Sequence, residues 1–207
     1  MSIVHDPKNW FKESGQEFDI FQYAYQFSLK DKVYASTLQD KSIIDSYVDS
    51  ETLKHNNYLA GDIQRQFKIT NQDIISRVEK ELAWHISNVF KAPVSDIDLN
   101  SDLWINYQQA TEYNPSHYHL GKFSFVIYAD IDQSIREEHN QSAGNAKTRG
   151  LIQFTSQLTN DTMLFNPSKY TILIFEASHL HQVYPFYSNN TRISIAGNVK
   201  DFNLGNL

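Results

Sequence analysis

Five short runs rich in β-branched and aromatic residues follow Asp102: DLWINYQQA, KFSFVIYADI, GLIQF, TILIF and RISIAGNV. Between them lie polar stretches, DQSIREEHNQSAGNAKTRG and TSQLTNDTMLFNPSK, with the Gly, Asn and Ser that mark loops. Several short strands at fairly even spacing predict a barrel or sandwich, not a wound α/β sheet. The aromatic content, 13 Phe, 12 Tyr and 3 Trp, leans the same way, because aromatic side chains favour strands. The expectation is a mainly β fold with flanking helices.

The first half reads differently. FDIFQYAYQFSL (residues 18–29) sets Phe21, Tyr23, Tyr25 and Phe27 on one parity and predicts a strand. The segment KVYASTLQDKSIIDSYVDSETL has local helical spacing without a long stripe. In TNQDIISRVEKELAWHISNVFK, by contrast, Ile74, Ile75, Val78, Leu82, His85, Ile86 and Val89 recur at three- and four-residue steps. Thr70 or Asn71 can cap this helix, Asp73 suits its first turn, and Pro93 lies beyond its end. The predicted organisation is one compact domain: residues 1–100 supply strand and helical segments that brace a core formed by residues 101–207. Residues 132–149 are either a lid or a plain surface excursion.

At 207 residues the chain can bury a substantial core. Its net charge of −6 argues against bulk nucleic acid as partner, though one buried Arg would still suffice for a small anion. Without cysteine, any metal must be held by His, Asp, Glu or water. MSIVHDPKNWFKESG has no apolar core of the kind a signal peptide needs, and no window is apolar enough for a membrane span. The expected location is therefore the cytoplasm, which would be the host's for a phage-encoded protein. The sequons at Asn140, Asn160 and Asn189 carry little weight beside that.

YNPSHYHLGKFSFVIY contains His117 and His119, two residues apart ahead of a β-forming run. Side chains at i and i+2 of a strand share a face, so two imidazoles there can meet one ion. Alone, the pair fits two half-exposed histidines after a turn equally well. A second pair, His179 and His181, follows TILIF, and Arg192 opens a strand in which Arg192, Ser194, Ala196 and Asn198 share one face. A guanidinium at the head of a strand bound for the interior is costly to bury without an anion, and a carboxylate would satisfy it. Phe123, Phe125 and Ile127 share parity with the first pair and are expected to fill the barrel and exclude water. His85 belongs to the helix face, and His5, His55 and His139 to the surface.

WINYQQATEYNPSHYHLGKFSFVIYADI and ILIFEASHLHQVYPFYSNNTRISIAGNV together resemble the iron(II)- and 2-oxoglutarate-dependent oxygenases. More narrowly, they resemble the oxygenases of large tailed phages and related bacterial proteins. The likeness spans residues 103–199. It implies a double-stranded β-helix, the jelly-roll, cupin-like barrel, and an enzyme that uses Fe(II), 2-oxoglutarate and O2. The implied reaction is hydroxylation of a C–H bond in a small-molecule or peptidyl substrate, with release of succinate and CO2. It also implies that His117 and the distal His181 are metal ligands. Arg192 would hold the far carboxylate of 2-oxoglutarate with Ser194 beside it, and Tyr107 would make a second contact.

The chain departs from the family's pattern where a carboxylate normally stands two residues after the first His: here the residue is His119. The ligand set is then His117, His119 and His181, or two imidazoles with water in the third place. A register with His119 first would leave Gly121 at a vacant carboxylate position, as in halogenating relatives. Two rival readings remain. One is a cupin-type three-histidine dioxygenase that needs no 2-oxoglutarate. The other is a non-catalytic phage or assembly protein whose metal is closed off by His179 as fourth ligand. Substrate identity and oligomeric state are not written in the sequence.

Overall fold

The computed structural model describes residues 3–5, 16–19, 32–45, 60–99, 103–141, 147–157 and 160–205, the side chains of 3–5, 16–19 and 32 excepted. In chain order the elements begin with strands β1 (Ile3–His5), β2 (Gln16–Asp19) and β3 (Lys32–Thr37), then the short helix α1 (Ser42–Asp45). Strand β4 (Gln66–Lys68), the long helix α2 (Gln72–Phe90) and strand β5 (Val94–Asp98) lead into the second half. There follow β6 (Leu103–Gln108), β7 (Asn114–His117), β8 (Phe123–Asp130), helix α3 (Gln133–Glu137) and a 3-10 turn (Glu138–Gln141). The remaining strands are β9 (Ile152–Thr155), β10 (Thr162–Phe165), β11 (Thr171–Glu176), β12 (Leu180–Val183), β13 (Arg192–Val199) and β14 (Asp201–Leu204).

Two sheets face each other. The larger has the order β2-β3-β11-β8-β13-β6-β4, and the smaller the order β1-β10-β9-β12-β7. From β6 onward the chain alternates between them: β6, β8, β11 and β13 enter the large sheet, while β7, the β9–β10 hairpin and β12 enter the small one. The strand neighbours within this core are antiparallel. That winding is the double-stranded β-helix, and it settles the fold class expected from the sequence.

Each strand of the large sheet has two faces with different duties, because successive side chains point opposite ways. On β6, Leu103, Ile105 and Tyr107 face outward; with Phe125, Ile127 and Ile195 they join Ile74, Val78, Leu82 and Ile86 of α2 in one apolar core. Trp104, Asn106 and Gln108 face inward and line a cavity between the sheets. The inner apolar cluster is smaller and includes Tyr128, Phe154, Phe165 and Phe175.

Helix α2 forms where the three-four periodicity predicts, and Asn71 is its cap: its Oδ1 accepts from the backbone N–H of Asp73 at 2.9 Å and of Ile74 at 3.3 Å. Lys91 ends it in the left-handed conformation. A polar network absent from the periodicity pins it to the sheet. Tyr34 Oη of β3 lies 3.1 Å from His85 Nδ1, and His85 Nε2 lies 2.9 Å from Glu81 Oε1. The Glu81 carboxylate also accepts the backbone N–H groups of Gln39 and Asp40.

Two expectations change. Phe123, Phe125 and Ile127 belong to the helix-side core, because Gly121, at φ +124°, breaks the strand register after the histidines. The inward face of β8 is Ser124, Val126 and Tyr128. The stretch 132–141 is also not a loose lid. Asp132 caps α3, Ile135 is buried, Arg136 Nε donates to Pro167 O, and the Glu138 carboxylate accepts the N–H groups of Tyr187 and Ser188. Residues 142–146, and nearly all of FDIFQYAYQFSL, lie outside the described residues.

Candidate metal and cosubstrate site

Strand β7 ends at His117, which stands directly opposite His181 of β12 in the antiparallel register. His119 lies just past the end of β7, and its backbone N–H donates to Ala177 O at 2.7 Å. Two neighbouring strands and one turn thus bring three imidazoles together: their ligating nitrogens all lie within 4.8 Å of one another. Ring centroids are separated by 4.3 Å (His117–His181), 4.8 Å (His117–His119) and 5.2 Å (His119–His181).

Hydrogen bonds fix how two of these rings present themselves. His117 Nδ1 lies 2.7 Å from Pro115 O, and His181 Nδ1 lies 2.9 Å from His179 O. A carbonyl oxygen only accepts, so each Nδ1 carries the proton and each Nε2 keeps a lone pair for a metal. Burial favours the neutral form of all three. It pulls His117 below its ordinary value, takes His119 to about 4 with help from nearby His117, and sets His181 well below. Neutral imidazoles holding free lone pairs fit a divalent ion. The cluster contains no carboxylate among the described residues. Such a set leaves the ion its full positive charge, which favours an anionic chelator as its further ligand.

At the other end of the same cavity stands Arg192, 2% exposed. Along β13 the inward positions run from Arg192 through Ser194 to Ala196, and opposite them on β6 stand Gln108, Asn106 and Trp104. Trp104 is the one near the histidines, its ring centroid 6.0 Å from that of His119. The guanidinium has neutral partners: Nε and Nη2 donate to Gln108 Oε1 at 3.1 and 2.5 Å, Nη1 donates to Gly150 O at 2.5 Å, and Phe186 lies 5.5 Å beneath. Among the described residues no carboxylate pairs with it.

Ser194 lines the cavity between Arg192 and the histidines, with its Oγ 3.3 Å from Asn106 Nδ2. Tyr107 does not line it. It lies on the outward face of β6, packed on Phe67 with the Arg65 guanidinium over its ring. The expectation that Tyr107 faces the cavity is thus not met; two other residues, not singled out from the sequence, line it near Arg192. Gln108 grips Arg192, and Tyr128 is a buried phenol opposite Ser194 in the register of β8 and β13. Burial pushes Tyr128 up to about 12, against the pull of Arg192, so it remains a neutral O–H. The alternation in LWINYQ carried the signal: its apolar phase is Leu103, Ile105 and Tyr107, and its polar phase ends on Gln108.

His179 is buried but stays outside the cluster. It lies against Phe154, and neither ring nitrogen has a partner. A closed four-histidine site is not assembled among the described residues.

Comparisons with known proteins bear on the family and the fold. The family model described as "Putative 2OG-Fe(II) oxygenase" matches residues 102–198. No curated protein matches the chain by sequence. Among solved structures, AviO1 from Streptomyces viridochromogenes Tue57 is 11% identical with a TM-score of 0.51, covering 82% of this chain and 89% of that one. A 2OG-Fe(II) oxygenase-family oxidoreductase from Burkholderia pseudomallei is 16% identical, with a TM-score of 0.45. The match covers 80% of this chain but 66% of that one, just under two thirds. A Pseudomonas putida prolyl-4-hydroxylase is 11% identical, with a TM-score of 0.48, and the match covers 81% of this chain and 91% of that one. At such identities a structural likeness speaks to fold alone.

Residues 102–198 are thus similar to the 2OG-Fe(II) oxygenase family, a match that spans just under half of the chain. That family's description implies Fe(II), 2-oxoglutarate and O2, and the described residues include a histidine triad that could hold the metal. The narrower kinship with phage proteins is not shown by the family match. No helix among the described residues is long and apolar enough to cross a membrane.

Proposed function

We propose that the protein hydroxylates a C–H bond of a small-molecule or peptidyl substrate, with His117, His119 and His181 holding Fe(II) and Arg192 anchoring 2-oxoglutarate. One observation carries this reading: a buried guanidinium with neutral partners lies across the same cavity from three neutral imidazoles. Burying an unpaired cation is costly, and a dicarboxylate that reaches from the ion to Arg192 removes that cost. Iron and cosubstrate, once bound, would supply O2 activation, with one oxygen atom ending in succinate, formed with CO2, and the other in the hydroxylated product.

The remaining roles belong to this chain's own side chains. His117 and His181 present Nε2 because their Nδ1 protons are tied to backbone carbonyls. Arg192 offers the far carboxylate two N–H groups, and Ser194 and the neutral Tyr128 phenol stand beside it as further donors. Trp104 and Val126 give the cavity apolar wall and limit water near the reacting C–H bond. A three-histidine dioxygenase without cosubstrate would share the ligand set, but it would leave Arg192 without a purpose.

The test is anaerobic addition of Fe(II) and then 2-oxoglutarate to metal-free protein. The expected result is a visible charge-transfer band that is absent from His181→Ala and requires far more 2-oxoglutarate in Arg192→Ala. A wild-type protein that binds Fe(II) yet shows no band at saturating 2-oxoglutarate would refute the proposal.

A further inference from the structure

We propose that Gln108 is the positioning residue for the cosubstrate: it holds Arg192 in place through a neutral carbonyl and so keeps the guanidinium charge free for a ligand carboxylate. This rests on the function proposed above and adds a residue to it. Gln108 Oε1 accepts from both Nε and Nη2 of Arg192, the two parallel N–H groups along one edge of the guanidinium. The orientation of the amide is fixed from its other end, because Gln108 Nε2 donates to Glu112 O at 2.6 Å and a carbonyl can only accept. Gly150 O takes a third N–H, from Nη1. A guanidinium has five N–H donors, so two remain, one on each terminal nitrogen.

Both residues are buried, at 3% and 2% exposure. A carboxylate in the same position would form the same fork and neutralise Arg192 internally, leaving a ligand carboxylate to meet a paired charge. Gln has the shape of Glu without that consequence. The holder is itself held: the Glu112 carboxylate accepts the backbone N–H of Gln109 at 2.8 Å and of Gln64 at 3.0 Å, clamping the turn that carries Glu112 O.

The experiment titrates 2-oxoglutarate into Fe(II)-loaded, oxygen-free protein and reads the charge-transfer band. It is paired with the thermal midpoint of the ligand-free protein. Q108E gains a buried ion pair with Arg192 but gives up the N–H donated to Glu112 O, so it is expected to keep its iron affinity, bind 2-oxoglutarate at least about 100-fold more weakly, and melt above Q108A. Gln108→Ala frees Arg192 from its rotamer without neutralising it, and the expected loss is about tenfold. That order, with Glu worse than Ala for the ligand yet better for stability, is opposite to what a merely structural side chain gives. If Q108E fails to fold, Q108A still decides, because 2-oxoglutarate affinity equal to wild type overturns the proposal. Q108E binding 2-oxoglutarate as tightly as wild type, or more tightly than Q108A, also overturns it and leaves the proposed function standing. A wild-type protein that binds iron but no 2-oxoglutarate sinks both.

Discussion

The large sheet shows two opposite solutions to burial on the two faces of the same strands. Outward, Leu103, Ile105, Ile127 and Ile195 meet the apolar stripe of α2. Inward, Asn106, Gln108, Arg192 and Ser194 share a cavity with three imidazoles. The outer face is satisfied within the chain. The inner face instead gathers groups suited to a ligand: a buried guanidinium whose described partners are neutral, and three imidazoles whose ligating nitrogens converge. Stability should therefore reside on the outer face and ligand affinity on the inner one, and substitutions on either side can break that division.

The largest effect expected is on the inner face. On the proposed function, His181→Ala removes one of three imidazoles that would hold the metal, and Arg192→Ala removes the partner of the cosubstrate's carboxylate. Losing a charged, buried hydrogen-bonded contact costs roughly 3–5 kcal/mol, so 2-oxoglutarate affinity in Arg192→Ala should fall by about 100-fold or more. Thermal stability should fall far less than for a core residue of equal volume, because an uncompensated buried charge leaves with the side chain. Calorimetric titration and a melting curve on one preparation check both. A large drop in stability without loss of ligand affinity would reverse the proposed division.

Next comes the outer face. Leu82→Ala or Ile105→Ala opens a cavity in a fully buried apolar core and should cost about 2–5 kcal/mol by denaturant unfolding. The iron and 2-oxoglutarate affinities of the folded protein should be unchanged. If either variant weakens 2-oxoglutarate binding tenfold, the faces are coupled through the strand.

The outer face also contains one charged device. Burial alone would raise the Glu81 carboxyl, but the bonds from His85 and from the backbone of Asp40 and Gln39 overcome that and hold it below its usual value of 4.5. The folded pKa is thus the lower one. The stabilisation it contributes is complete above about pH 4.5 and fades as the pH falls through the folded value. Glu81→Gln should cost roughly 2 kcal/mol at neutral pH. Its stability should also drop less steeply than wild type's between neutral pH and about pH 3, as read from unfolding midpoints across that range.

These expectations show which parts of the molecule were legible in the sequence. Helix α2 could be read from its periodicity because an amphipathic helix repeats one signal for nineteen residues. Strand β13 could be read to its last residue because its alternation is unbroken. β10 was hidden inside TSQLTNDTMLFNPSK, where Met163, Leu164 and Phe165 are all buried and no alternation marks them. β7, with Pro115 in its middle, has little strand propensity and is set by its partner β12. The three histidines could be listed as candidates, but their convergence depends on β7 lying beside β12, a pairing between residues more than sixty positions apart. Arg192 stood out because its charge conflicts with its burial. Glu81 did not, because a Glu on a helix normally faces water.

The smallest effect is the sharpest comparison, because it sets two tyrosines against each other. Tyr107 is on the outward face of β6, and Tyr128 is on the inward face of β8 beside Arg192. Both are buried and both carry a phenol within reach of a guanidinium, Arg65 for the first and Arg192 for the second. Composition and local sequence do not separate them; strand phase does. Tyr128→Phe removes one neutral donor from the Arg192 end of the cavity and, on the proposed function, should weaken 2-oxoglutarate about tenfold, the worth of one hydrogen bond to a charged group. Tyr107→Phe should leave that affinity within about twofold, since its ring packing is preserved and its hydroxyl lies on the other side of the sheet. The reverse order in a titration of the two variants would mean that β6 sits one residue out of register, exchanging its faces. Gln108 would then lie among the α2 contacts and Tyr107 beside the cosubstrate.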